Sequence, residues 1–196
     1  MALSISRRAR LAPCAALLAF LPALPAVAAE SSYRLRVEDS ALRFTYAEDG
    51  EPQNGGFDRF DATGRFDPED LSKARLTLTI STESVSLPDA FREGFVQGSD
   101  WFDVKSHPDA VYDLDGLIKL SGDLYVAVGT LTIKGVEKRI SAPVRLTFEN
   151  GRAHARGDIT FDRRDFNVGG GPASLFVEVG EKISVAFDLT AEPVAN

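Results

Sequence analysis

Cysteine is nearly absent from this chain of 196 residues, and the single one, Cys14, lies close to the N-terminus. Beyond Cys14 the chain can form no disulfide, no thiolate metal site and no cysteine nucleophile. Histidine, the usual acid–base and metal residue, occurs only as His107 and His154, with no spacing that suggests a metal site. The Gly-x-Ser-x-Gly and His-Glu-x-x-His motifs of hydrolases are also missing. The sequence therefore predicts a protein that is not an enzyme and holds no metal or resident cofactor.

Long apolar runs and an excess of positive charge are lacking as well. The apolar run Ala15–Leu24 is interrupted by Pro22 and is shorter than the ~20 residues that span a bilayer. Arginines precede this run and small residues follow it, which predicts a cleaved signal peptide over 1–29 and one domain over 30–196. The three arginines of 1–29 are its only charged residues, so its removal changes the net charge from −7 to −10. Such a charge disfavours binding to nucleic acid.

Most of the remaining chain alternates between apolar and polar residues at a period of two, which is typical of strands with one buried face. We expect about eight strands between Tyr33 and Ala191, closed into an antiparallel lipocalin-like barrel because closure removes the sheet edges. One short helix is expected between Leu87 and Asp103, begun by Asp89 and ended by Gly98. The turn signals are Glu48-Asp49-Gly50, Asp67-Pro68-Glu69-Asp70, Ser121-Gly122-Asp123 and Glu149-Asn150-Gly151.

The interior of such a barrel is either filled by side chains or wide enough for one small ligand. Large residues such as Phe44 and Tyr112 share the inward faces with small ones such as Ala62 and Gly129. The small residues could leave an apolar tunnel, or the large residues opposite could fill the gap. The composition leaves both alternatives open.

Four segments, in chain order, resemble the YceI-like family: "GGFDRFDATGRFDPEDLSKARLTLTIST", "GSDWFDVKSHPDAVYD", "YVAVGTLTIKGVEKRISAPVRL" and "DITFDRRDFNVG". The resemblance spans Tyr33 to Glu192. It implies an exported barrel in the periplasm of a Gram-negative bacterium. It also implies an apolar pocket that binds a long-chain amphiphile, typically a polyisoprenoid such as a quinone or isoprenoid lipid. Asp39-Ser40 stands where many members have His-Ser, and Asn167 replaces a glycine, so the chain resembles a divergent branch.

On this basis we expect apolar side chains on the inward strand faces and on the helix segment to contact the lipid tail. Arg163 and Asp165, in "FDRRDFNVGGGP", are candidates for contact with the head group. The alternatives for that segment are a salt-bridged corner that closes the barrel, and catalysis. The expected tail contacts are Leu42, Phe44, Tyr46, Phe60, Leu78, Ile80, Phe91, Phe95, Trp101, Phe102, Tyr112, Tyr125, Leu131 and Ile133.

Three functional hypotheses follow. The first is a periplasmic lipid-binding protein whose barrel encloses the tail. The second is a filled scaffold whose outer surface binds an envelope partner, such as a membrane b-type cytochrome or a second copy in a homodimer. The third is hydrolase or isomerase activity on a bound lipid, for which the inward faces supply only Tyr46, Tyr112 and Tyr125 as titratable groups.

Overall fold

The computed structural model describes residues 31–67, 70–171 and 178–194. The predicted signal peptide over 1–29 and the Pro68-Glu69 part of one predicted turn lie outside these ranges. Within them the chain forms eleven strands and one α-helix, α1 (Ala90–Val96). The strands are β1 (Ser31–Leu35), β2 (Ala41–Glu48), β3 (Glu51–Phe57), β4 (Phe60–Asp67), β5 (Asp70–Ser81), β6 (Val85–Ser86), β7 (Asp109–Ser121), β8 (Leu124–Ile133), β9 (Val136–Glu149), β10 (Arg152–Asp162) and β11 (Lys182–Pro193).

Eight of these strands close into an antiparallel barrel in the order β1-β4-β5-β7-β8-β9-β10-β11, with β11 pairing back onto β1. The predicted barrel is therefore confirmed. The last residues of β11 pair with β1, while its earlier part pairs with β2. A short 3-10 turn, Val37–Asp39, separates β1 from β2, so the two act as one interrupted strand along β11. Strands β3 and β6 extend the sheet beyond β2 at one end of the barrel.

Two-residue turns with left-handed backbone connect several of the hairpins. The φ angles are 51° and 83° at Asp49 and Gly50, and 52° and 79° at Asn150 and Gly151. This conformation matches the twist of antiparallel strands and favours Asn, Asp and Gly, which is why both turns could be predicted. A third turn of this kind, Lys134-Gly135, was not predicted because lysine is a weak turn signal there.

The predicted helix exists, and it ends two residues before the predicted Gly98. Asp89 caps its start, as predicted, by accepting a hydrogen bond from the Arg92 backbone N–H at 2.9 Å. The helix ends at Val96, and the residues up to Asp103 form turns rather than helix. Asp103 has a φ of 49° and donates its backbone N–H to the Gly98 carbonyl at 2.9 Å. This reversal brings the residues that follow the helix back onto the end of the barrel.

The apolar core consists of two clusters at opposite ends of the barrel interior. The α1-end cluster includes Trp101, Leu131 and the fully buried Phe166, while the far-end cluster includes Tyr33 and Phe66. The Tyr33 and Phe66 rings stack with their centroids 3.9 Å apart. The space between the two clusters forms the candidate site.

Candidate functional site

An apolar cavity of about 470 Å³ occupies the barrel interior. Its volume lies within the range of about 300–1,000 Å³ that is typical of small-molecule sites. Ile183 and Ala191 both line it, and they are eight residues apart on β11, or roughly 26 Å along a strand. The cavity is therefore elongated along the barrel and reaches both core clusters.

Small residues create this space by letting large rings lie against the barrel wall. A Cβ atom on Gly129 would lie 2.8 Å from the Tyr112 ring, and one on Gly157 would lie 2.6 Å from the Phe187 ring. Each ring therefore occupies the place that a side chain on the glycine would take. Of the two alternatives that the composition left open, the structure has the hollow lumen.

Twelve of the fourteen predicted tail contacts line this cavity. The two exceptions, Phe60 and Tyr125, are buried in the α1-end and far-end clusters respectively, away from the cavity wall. Tyr125 lies under the Lys119 ammonium group, which is 5.8 Å from its ring centroid. The twelve are Leu42, Phe44, Tyr46, Leu78, Ile80, Phe91, Phe95, Trp101, Phe102, Tyr112, Leu131 and Ile133.

Aromatic side chains connect the cavity with the protein surface at the α1 end. Phe91 is 78% exposed and stacks on Phe95, with ring centroids 6.3 Å apart. Phe95 in turn contacts Trp101, which is only 6% exposed, at a centroid distance of 5.8 Å. Because all three line the cavity, we refer to this end as the mouth.

Arg163 lines the cavity near the mouth, but its side chain is directed at backbone carbonyls. Nε donates to the Gly180 carbonyl at 2.9 Å, and one Nη donates to Val179 at 2.7 Å. The other Nη donates to the carbonyls of Val168 and Gly169 at 2.7 and 2.9 Å. Burial lowers the pKa of this guanidinium. Arg163 thus joins two stretches of chain that flank residues 172–177, which lie outside the described ranges.

The geometry of the rest of "FDRRDF" also differs from the predicted salt-bridged corner of Arg163 with its flanking aspartates. The ion pairs of the segment are made by Arg164, with Asp162 at 3.6 Å and with Glu181. Asp165 is exposed and does not line the cavity. The segment therefore closes the barrel end through hydrogen bonds from one arginine and surface ion pairs from its neighbour.

A charged pair at the mouth was missing from the sequence-based site. Arg92 donates to the Glu48 carboxylate from Nη2 at 2.8 Å and from Nε at 3.0 Å, and both residues line the cavity. Burial, reinforced by the charge of Glu48, raises the pKa of the neighbouring Tyr46 phenol. The sequence contains no signal for this pair, because 44 residues separate a strand end from a helix that meet only in the folded barrel.

Two polar atoms on the cavity-lining residues are buried without a hydrogen-bond partner among the described residues: Trp101 Nε1 and Tyr112 Oη. The Trp101 ring instead packs against the Arg163 guanidinium, whose central carbon lies 5.1 Å from the ring centroid. Burial raises the pKa of Tyr112 to about 12, so its phenol is a poor base at neutral pH. Across the part of the chain that the structure describes, no group of three or more His, Cys, Asp or Glu side chains is arranged to hold a metal ion.

Sequence comparison matches residues 33–191 to the family model described as "YceI-like domain". A UPF0312 protein of Pectobacterium atrosepticum is 32% identical over 133 residues, which is 64% of this chain and 69% of that protein. A UPF0312 protein of Yersinia pestis is 29% identical over the same shares of both chains.

Solved structures share the barrel. Burkholderia cenocepacia BcnA superposes with a TM-score of 0.75 at 28% identity, covering 80% of this chain and 98% of that one. A polyisoprenoid binding domain from Saccharophagus degradans gives a TM-score of 0.69 at 17% identity, covering 84% and 99% of the two chains. At this lower identity the likeness concerns the fold alone. Over 31–67, 70–171 and 178–194, no helix has both the length and the apolar character needed to cross a membrane.

Proposed function

Because the chain belongs to the YceI-like domain family, we propose that it is a periplasmic protein that binds a long-chain isoprenoid-type lipid, such as a quinone, without chemically changing it. The observation that carries the proposal is the elongated apolar cavity, which reaches the surface at the aromatic mouth. A polyisoprenoid binding domain with the same fold supports this ligand class. The hollow lumen weighs against a scaffold whose interior is filled.

The cavity volume suggests how much of a tail it can enclose. If a methylene takes about the ~30 Å³ of a water molecule, the cavity of about 470 Å³ holds roughly 15 carbons, or about three isoprene units. At ~0.8 kcal/mol per buried CH₂, such a tail contributes roughly 12 kcal/mol before the costs of association and ordering are subtracted. A longer tail would continue past Phe91 into solvent or onto a partner.

The chemistry of the lining supports binding rather than catalysis. Among the described lining residues the one carboxylate is that of Glu48, and it accepts hydrogen bonds from Arg92. The Tyr112 phenol stays protonated well above neutral pH. This phenol is therefore not poised to take or give a proton at neutral pH.

The proposal is tested by native mass spectrometry of protein purified from the periplasm without detergent, followed by organic extraction of the bound species. Protein stripped of lipid is then titrated with linear isoprenoid alcohols of increasing length. We expect affinity to rise with each isoprene unit and to level off after about three units, once the enclosed volume is filled. Protein that is isolated empty and responds to no chain length would refute the proposal.

A further inference from the structure

The mouth of the cavity carries charge, although the rest of its lining is apolar. Three of the described lining residues are charged: Glu48, Arg92 and Arg163. Arg163 directs its donors at four backbone carbonyls. Arg163 keeps its positive charge, but these bonds hold its donor nitrogens on the backbone, so Arg92 is the cation that a ligand at the mouth can meet.

Arg92 is already neutralised by carboxylates on both of its sides. Its Nε and Nη2 bind Glu48, and its Nη1 binds Asp89 at the start of α1. The Glu48 side chain is only 12% exposed, so solvent screens its charge less than that of an ordinary surface carboxylate. One guanidinium between two carboxylates leaves a net charge of −1 in this triad.

A further carboxylate lies on the same helix. Glu93 accepts a hydrogen bond from the backbone N–H of Leu87 at 3.1 Å, and Leu87 itself lines the cavity. With Arg163 included, the charged side chains at the mouth therefore carry three negative and two positive charges, a net charge of −1. The predicted mature chain is acidic overall as well. A carboxylate or phosphate placed here would meet a repulsive field, because Arg92 has no uncompensated charge to offer.

We propose that this mouth selects amphiphiles with an uncharged polar head group and disfavours anionic ones. The inference rests on the proposed function, in which a lipid tail occupies the barrel and leaves the head group at the mouth. An uncharged amide, carbonyl or hydroxyl group can hydrogen-bond to the carboxylates or to the remaining Arg92 N–H groups without Coulombic cost. The selectivity lies in the repulsion of the wrong head group rather than in a dedicated pocket for the right one.

The test compares two amphiphiles that differ in the charge of one terminal group. Hexadecanamide and hexadecanoate have the same chain and nearly the same shape, and only hexadecanoate is charged at neutral pH. Their affinities are measured at low salt by displacement of an uncharged lipophilic fluorophore from lipid-free protein. We expect wild type to bind the amide about tenfold more tightly, because the hexadecanoate carboxylate is repelled by about one partly screened negative charge at the mouth.

Three variants decide whether the triad causes this preference. Glu48→Gln and Asp89→Asn each remove one negative charge, and asparagine keeps the helix cap. Both are expected to reduce the preference to about threefold or less, mainly by tighter binding of hexadecanoate. Asp158→Asn, on the exposed outer face of β10, removes the same charge away from the mouth and should leave the preference unchanged.

Two results would overturn the inference while leaving lipid binding intact. The first is equal or tighter binding of hexadecanoate by wild type. The second is a preference that neither Glu48→Gln nor Asp89→Asn reduces. Binding of neither amphiphile, together with no binding of the isoprenoid alcohols, would instead refute the proposed function, and the inference would fail with it.

Discussion

Arg163 is the residue whose replacement tests the structural interpretation of "FDRRDF" most directly. Its side chain is 7% exposed and donates to the carbonyls of Val168, Gly169, Val179 and Gly180. Arg163→Met keeps much of the apolar volume under Trp101 but leaves these carbonyls without their charged donor. Hydrogen bonds to charged groups contribute about 1.5–3 kcal/mol each, but the four are not additive because some carbonyls can regain water. We therefore expect a loss of about 3–5 kcal/mol in the free energy of unfolding.

The neighbouring arginine provides a matched control. Arg164 is more than half exposed and makes only surface ion pairs, so Arg164→Met should cost less than about 1 kcal/mol. For a domain of this size, about 4 kcal/mol corresponds to a decrease in Tm of about 10 °C. Urea unfolding followed by near-UV circular dichroism, together with a thermal scan, measures both variants on lipid-free protein.

The two variants also separate a structural role from a ligand-binding role. If Arg163→Met and Arg164→Met are equally stable, the hydrogen bonds to the loop carbonyls do not hold this end of the barrel together. If Arg163→Met keeps its stability but loses co-purified lipid, Arg163 contacts the head group instead. Loss of stability with lipid retained in the folded fraction is the outcome that the structure predicts.

Three further predictions concern the cavity and the titrating side chains. Ala155→Phe should fill part of the cavity and lower the amount of lipid recovered by extraction. Its Tm should not fall, because filling empty volume removes a cost of about 24 cal/mol per Å³. Unchanged lipid content would mean that the lipid binds elsewhere. Ultraviolet titration should show one tyrosine ionising near pH 12, and Tyr112→Phe should remove it; a single transition of all tyrosines near 10 would contradict the burial of this phenol. Hydrogen bonding to Arg145 lowers the pKa of Asp123 below its unfolded value, so its stabilising contribution is present above about pH 4 and is lost as pH falls. Asp123→Asn should therefore lower the urea midpoint at neutral pH and flatten its fall toward about pH 3, and an unchanged profile would show that the ion pair adds nothing.

Features that depend on neighbouring residues could be predicted from the sequence. Alternation at a period of two identifies strands and assigns their faces, since a slip of one residue would expose every apolar side chain. Asn150-Gly151 identifies a hairpin because few residues tolerate left-handed backbone. Asp89 identifies a helix start because its side chain accepts from an N–H three residues ahead. In each case the cause lies within a few residues of its effect.

The path of the chain after the helix and the head-group residues were harder to predict. The turns after Val96 are fixed by backbone hydrogen bonds and by packing of Trp101 on the barrel end, which spacing alone does not reveal. Arg163 and Asp165 differ only slightly in sequence context, yet one is buried against four carbonyls and the other is exposed.

The sequence by itself therefore determined the fold class, the family and most of the cavity wall, because the inward face of each strand is encoded locally. The tertiary structure alone decided that the lumen is hollow, since this depends on how the Tyr112 and Phe187 rings settle against glycines of neighbouring strands. It also decided that Glu48 and Arg92 meet at the mouth, because only closure of the barrel brings that strand end to that helix. The cavity and the Glu48–Arg92 pair both depend on residues that are distant in the chain, so no local sequence pattern predicts them.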